Sequence, residues 1–110
     1  MAEKCYVTVA ASPDNEERGS SIKLQAGAWE LNIHLERGEL LRLFEVRQAR
    51  WLDRKSLQLG QAAGSSVFWS TDESMLSILV GHDDETWDFG VMLPLAVLDE
   101  ILEEVARALT

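Results

Sequence analysis

The stretch VFWSTDESMLSILVGHDDETWDFGVMLPLAVLDEILEEVARAL, residues 67–109, decides the fold. Val67-Phe68-Trp69-Ser70 is a short apolar run, Thr71-Asp72-Glu73-Ser74 is made of turn formers, and a second apolar run follows from Met75 to Val80. Gly81-His82-Asp83-Asp84-Glu85 makes another turn, after which Trp87, Phe89 and Val91 alternate with Thr86, Asp88 and Gly90. Period-two alternation marks a strand, and strands joined by turns this short pair antiparallel. The three runs therefore predict a C-terminal meander. Pro94 stands where a first helical residue would, its φ already set and its N–H not needed. Leu98, Ile101, Leu102, Val105 and Leu109 then recur at helical spacing, with Asp99, Glu100, Glu103 and Glu104 opposite and Arg107 in the last turn. Carboxylates early and a cation late suit the helix dipole. An amphipathic helix lying on a sheet is expected.

Toward the N-terminus the alternation recurs. Cys5, Val7 and Val9 share one face of a strand, with Tyr6 and Thr8 on the other, and residues 12–20 read as an exposed loop. Ile22, Leu24 and Ala26 form the next apolar set, then Trp29, Leu31, Ile33 and Leu35. Gly27 shifts the parity between them, which a bulge or a tight turn would explain. Residues 39–55 fit neither period cleanly. Leu40, Leu41, Phe44, Gln48, Trp51 and Leu52 fall near helical spacing, so a helix over 39–55 is the preferred assignment, with Arg47, Arg50 and Arg54 as a stripe on its flank. Residues 61–66 read as loop. The sum is one α+β domain over residues 1–110, with an antiparallel sheet of about five to six strands.

Composition narrows the function. The 110 residues carry 19 Asp and Glu against 10 Lys and Arg, a formal charge of −9, and 46% of them are hydrophobic. This is the profile of a folded, acidic domain rather than a disordered one. Cys5 is the one cysteine, so no intrachain disulfide can form. No apolar run approaches the length of a membrane span, and Met1-Ala2-Glu3-Lys4 does not open a signal peptide, so a cytoplasmic protein is expected. The charge is uneven. Arg37, Arg42, Arg47, Arg50, Arg54 and Lys55 crowd residues 37–55, whereas residues 56–110 hold Arg107 alone against ten carboxylates.

His82-Asp83-Asp84-Glu85, with Asp88 nearby, is the densest cluster of oxygen ligands and would serve a metal-dependent hydrolase working at residues 82–88. It lacks any established ligand spacing, and aspartates collect at hairpin tips because they cap the turn backbone, so no metal and no other cofactor is expected. No residue pattern specifies a catalytic group. A single-strand nucleic-acid binder would use Arg47, Arg50 and Arg54 with the tryptophans as stacking platforms, but most of the molecule repels phosphate and Trp29 and Trp87 lie in apolar alternations that a core would claim. The leading expectation is a non-catalytic protein-interaction domain, an acidic inhibitor or immunity-type protein of a basic partner. Asp83, Asp84, Glu85, Asp99, Glu100, Glu103 and Glu104 would meet that partner. The doubly apolar strands add an expected homodimer interface at Phe68, Met75 and Leu79.

Overall fold

Side-chain alternation along the strands separates an inner face from an outer one. The computed structural model describes residues 5–11 and 20–109, so the expected loop at 12–20 lies, apart from Ser20, outside the described residues, as do residues 1–4. β1 (Tyr6–Ala11), β2 (Ser20–Ala26) and β3 (Trp29–Leu35) pair antiparallel in sequence order. Ala26 pairs with Trp29 across a tight turn, and Gly27 takes φ 52° there, the left-handed conformation that costs glycine nothing. The parity shift at Gly27 is therefore a hairpin turn. Ile22, Leu24, Ile33 and Leu35 point inward and are fully buried, while Lys23, Gln25, Glu30 and Asn32 point out.

Four more strands complete the sheet: β4 (Leu57–Ala62), β5 (Ser65–Thr71), β6 (Met75–Gly81) and β7 (Trp87–Pro94). The sheet is a seven-stranded antiparallel meander in the order β1 to β7, so the fold class is α+β as expected and the strand count exceeds the five to six predicted. The additional strand is β4. Its register slips between Gln58 and Gln61 because Gly60 adopts φ 86°, which spoils the alternation by which a strand is recognised. Much of the predicted 61–66 loop is strand as well; only Ala63 and Gly64, both at positive φ, form the two-residue turn of a hairpin. The bulge is fastened from two sides. The indole N–H of the fully buried Trp69 donates to the Leu59 carbonyl at 2.9 Å, and the Gly60 N–H donates to the Glu39 carboxylate at 2.9 Å.

The predicted 39–55 helix is broken into three pieces. α1 (Arg37–Arg42) gives way to a 3-10 helix at Leu43–Gln48, and a second 3-10 turn follows at Trp51–Asp53. The break has a cause far away in sequence: the Thr71 N–H donates to the Ala49 carbonyl at 2.8 Å, and Arg50 bridges to Thr71 in parallel. Sheet hydrogen bonding overrides helix propensity at that point. Leu40, Leu43 and Val46 enter the same core as the sheet's inner side chains. α2 (Leu95–Leu109) crosses that inner face, touching β1 at one edge of the sheet and β6 and β7 at the other, and buries Val97, Leu98, Ile101 and Val105. Pro94 closes β7, paired with Met75, rather than opening the helix. Each large apolar side chain so enclosed contributes about 1.5–3 kcal/mol.

Gly60→Ala is expected to destabilise the protein by about 2–4 kcal/mol, since a Cβ would add backbone strain and crowding. That Cβ would lie 2.8 Å from the His34 carbonyl oxygen and 2.8 Å from Leu35. Gly38→Ala, in α1 with nothing within 4 Å, should be neutral or slightly stabilising. Urea titration of both variants reads the contrast directly.

Candidate interaction surface

The outer face of β5 to β7 carries the densest set of unusual features. Val80 pairs with Phe89 and Gly81 with Trp87, so one extra residue, Asp88, is accommodated on β7 as a bulge. The bulge reverses the direction of Trp87 relative to Phe89. Trp87 therefore lies on the outer face, 47% exposed, and the expectation that the core would claim it is corrected. Trp29 is half-buried and packs on the core as expected. Two glycines make the reversal sterically feasible. A Cβ on Gly81 would sit 2.4 Å from the Trp87 Cα, and one on Gly90 would sit 3.1 Å from the Trp87 ring. The indole thus lies over Gly90, beside Leu79.

The 82–86 turn then leans back over the sheet. Asp83 Oδ1 accepts the N–H groups of Glu85 at 2.8 Å and Thr86 at 2.7 Å, which closes the turn, and the Ser56 hydroxyl donates to Asp84 Oδ2 at 2.7 Å. Between the turn and the 3-10 segment at Trp51 a groove of about 300 Å³ remains open. Its floor is Ser70, Ser77, Leu79 and Gly90; Trp51 and Trp87 line it together with Met92, which is 64% exposed, and Asp84 is the one charged group in the lining. On the far side of Asp84 a second hollow includes Arg54, whose guanidinium carbon lies 5.1 Å from the centroid of Trp51.

The residues singled out from the sequence are dispersed. Asp83 and Asp84 serve the turn; Asp99 pairs with Arg47, and Glu104 pairs with Arg107 at 2.6 Å on α2. Glu85, Glu100 and Glu103 are exposed. Phe68 and Leu79 are cross-strand partners on the outer face and Met75 lies on the same face, but Phe68 is only 8% exposed within its own chain, so it has little surface left for a second copy. The arginine stripe does not form, because the helix meant to carry it is broken: Arg47 reaches α2, Arg54 lies over Trp51, and Arg50 sits at the bridge to β5. Among the described residues no three His, Cys, Asp or Glu side chains are placed to hold one metal ion. Burial pushes the Cys5 thiol up, with the nearby Glu100 charge adding to it and a hydrogen bond with the Gln25 backbone opposing; a protonated thiol is a poor nucleophile. Glu39 has both oxygens engaged, by the N–H groups of Glu36 and Gly60, and so is structural.

Of the groove residues, Ser77 and Met92 carry no functional signal in the sequence, and Trp51 enters there only among the tryptophans of the nucleic-acid alternative. The available signal was Gly81 and Gly90 flanking Trp87 at a place where strand side chains would otherwise be expected. No family model matches the chain, and no curated protein or solved structure is significantly similar to it. No helix among the described residues is long and apolar enough to cross a membrane.

The Asp83 cap has a pH signature. The Glu85 N–H, then the Thr86 hydroxyl and N–H, hold its carboxyl below the ordinary aspartate range. A depressed carboxylate stabilises the fold at any pH above its unfolded value and ceases to do so as pH falls through its folded value. Asp83→Ala should therefore lower the urea midpoint at neutral pH, and the gap from the parent should narrow only in acid below the ordinary aspartate range. Urea titrations at a series of pH values measure it.

Proposed function

We propose that this chain is a non-catalytic protein-interaction domain that meets a basic protein partner with the outer face of its sheet, in the manner of an acidic inhibitor or immunity-type protein. The observation that carries this reading is the groove between Trp51 and Trp87, an open, largely apolar concavity on the one sheet face that no helix covers. Tryptophan and methionine on such a face supply contact area, and tryptophan is the residue type most often found to anchor binding energy. The charge supports a basic partner. At −9 overall, with Glu85, Glu100 and Glu103 exposed, the molecule sets up a field that accelerates encounter with a cationic surface and weakens with salt. In this reading the acidic residues Asp83, Asp84, Glu85, Asp99, Glu100, Glu103 and Glu104 steer, and the groove holds. The protein would act in the cytoplasm, where Cys5 stays reduced.

The dispersal of the arginines disfavours the nucleic-acid alternative, and the internal hydrogen bonds of Asp83 and Asp84 disfavour the metal-dependent hydrolase. A homodimer is the competing occupant of the face. Like charge opposes it, and Phe68 offers it little.

The test begins with affinity capture from the native host and proceeds with the captured partner in purified form. Met92→Lys and Trp87→Ala are expected to weaken the complex by tenfold or more through dissociation. Neutralising Glu85, Glu100 and Glu103 to Gln should slow association and flatten its salt dependence. Alanine at Arg47, Arg50 and Arg54 should do much less. A partner that is acidic or a nucleic acid, or a stable dimer in light scattering that Met92→Lys dissolves, overturns the reading.

A further inference from the structure

Resting on that reading, we propose that the groove between Trp51 and Trp87 seats one arginine side chain of the partner, its guanidinium stacked on indole and facing the Asp84 carboxylate. Three observations converge on this occupant. The lining holds a single charge, that of Asp84, and it is negative. Asp84 Oδ2 takes the Ser56 hydroxyl, which fixes the carboxylate while its other oxygen accepts no hydrogen bond from any described residue. The two aromatic groups are both tryptophan, the side chain whose face attracts cations most strongly. The molecule also shows the same contact within itself, since the Arg54 guanidinium lies 5.1 Å from the Trp51 centroid.

Size and shape favour arginine over other cations. A volume of about 300 Å³ accepts a long side chain but is at the small end for a cofactor. Gly90 lacks a Cβ and lies under the Trp87 ring, so a flat group can slide in beside the indole. The guanidinium is planar and weakly hydrated and can engage a carboxylate with two N–H groups, whereas an ammonium would have to shed tightly held water to enter. A purely aliphatic side chain would fill the apolar floor but leave the Asp84 carboxylate against a dry neighbour, which costs free energy.

The probe is Nα-acetyl-arginine amide, titrated into the 15N-labelled protein, with the tryptophan indole N–H signals as readout. Signals of Trp51 and Trp87 are expected to shift in a saturable, millimolar manner. Those of Trp69, whose N–H is held by Leu59, and of Trp29 should stay in place. The citrulline analogue, which has the same shape without the charge, should bind about fivefold more weakly or worse, as should the lysine analogue. Asp84→Asn keeps an acceptor for Ser56, so the turn should survive and affinity for the arginine probe should fall about fivefold. Trp87→Ala, at an exposed position, should abolish the shifts. Equal affinity for citrulline, no saturable shift of Trp51 and Trp87, or indifference to Asp84→Asn overturns the arginine assignment. Those results would leave the interaction reading standing if the captured partner still depends on Met92 and Trp87. Conversely, arginine binding with a partner complex untouched by both variants would retain the site and remove the function.

Discussion

One helix can dry only one face of a sheet, and the rest of the molecule follows from that constraint. α2 and the 37–48 segment both pack on the inner face, where Trp69, Ile78, Leu24 and Ile33 are fully buried. The outer face therefore needs other means of meeting water. On β2 and β3 it uses Lys23, Gln25, Glu30 and Asn32, with Lys23 and Glu30 3.9 Å apart. On β5 to β7 it uses small residues, Ser66, Ser70, Ser77 and Gly90, and flanks Leu79 with Trp51, Trp87 and Asp84 of the folded-back turn. The groove is what this partial cover leaves open. It is a by-product of the shortage of second-layer elements as much as a construction in its own right.

Electrostatics follow the same division. The cations of residues 37–55 are not a free patch, because Arg47 binds Asp99 of α2, and Arg42 lies 3.8 Å from Glu45. Such exposed pairs add at most about 1 kcal/mol each to stability. Their larger effect is on the field: they offset two of the six cations of this stretch, Arg42 and Arg47, while the carboxylates set the sign of the molecule at a distance.

Where local pattern alone determined structure, the sequence was legible. The β2–β3 hairpin, the meander and α2 all lie close to where alternation and helical spacing put them, because their buried faces repeat without interruption. The failures share one physical origin, which is that a residue's conformation was set by a partner distant in sequence or by a backbone shift. β4 was hidden by Gly60, whose positive φ breaks the alternation and whose N–H is held by Glu39. The 39–55 segment has helix-forming residues throughout, but Thr71 draws Ala49 and Arg50 out of the helix. Trp87 was misplaced because a single bulged residue reverses a strand's faces, and alternation before and after the bulge looks identical. Glu85, Asp99, Glu100 and Glu103 are exposed as alternation and helical spacing imply, but Asp83, Asp84 and Glu104 are half-buried, and the internal duties of the carboxylates at Ser56, Arg47 and the turn backbone are not visible in the sequence.

The meander order carries a consequence for how the chain finds its structure. Six successive strand pairings join neighbours in sequence; apart from β3–β4, which is spanned by residues 36–56, each closes a short loop at small entropic cost, and hairpins can zip one after another. The contact between α2 and β1 is of a different kind, since it brings the last helix onto the first strand across almost the whole chain. It can be rewarded only after the intervening strands have shortened the path between the two. The α2–β1 contact therefore depends on the strands between them being paired, and any change that loosens the meander is felt at this junction.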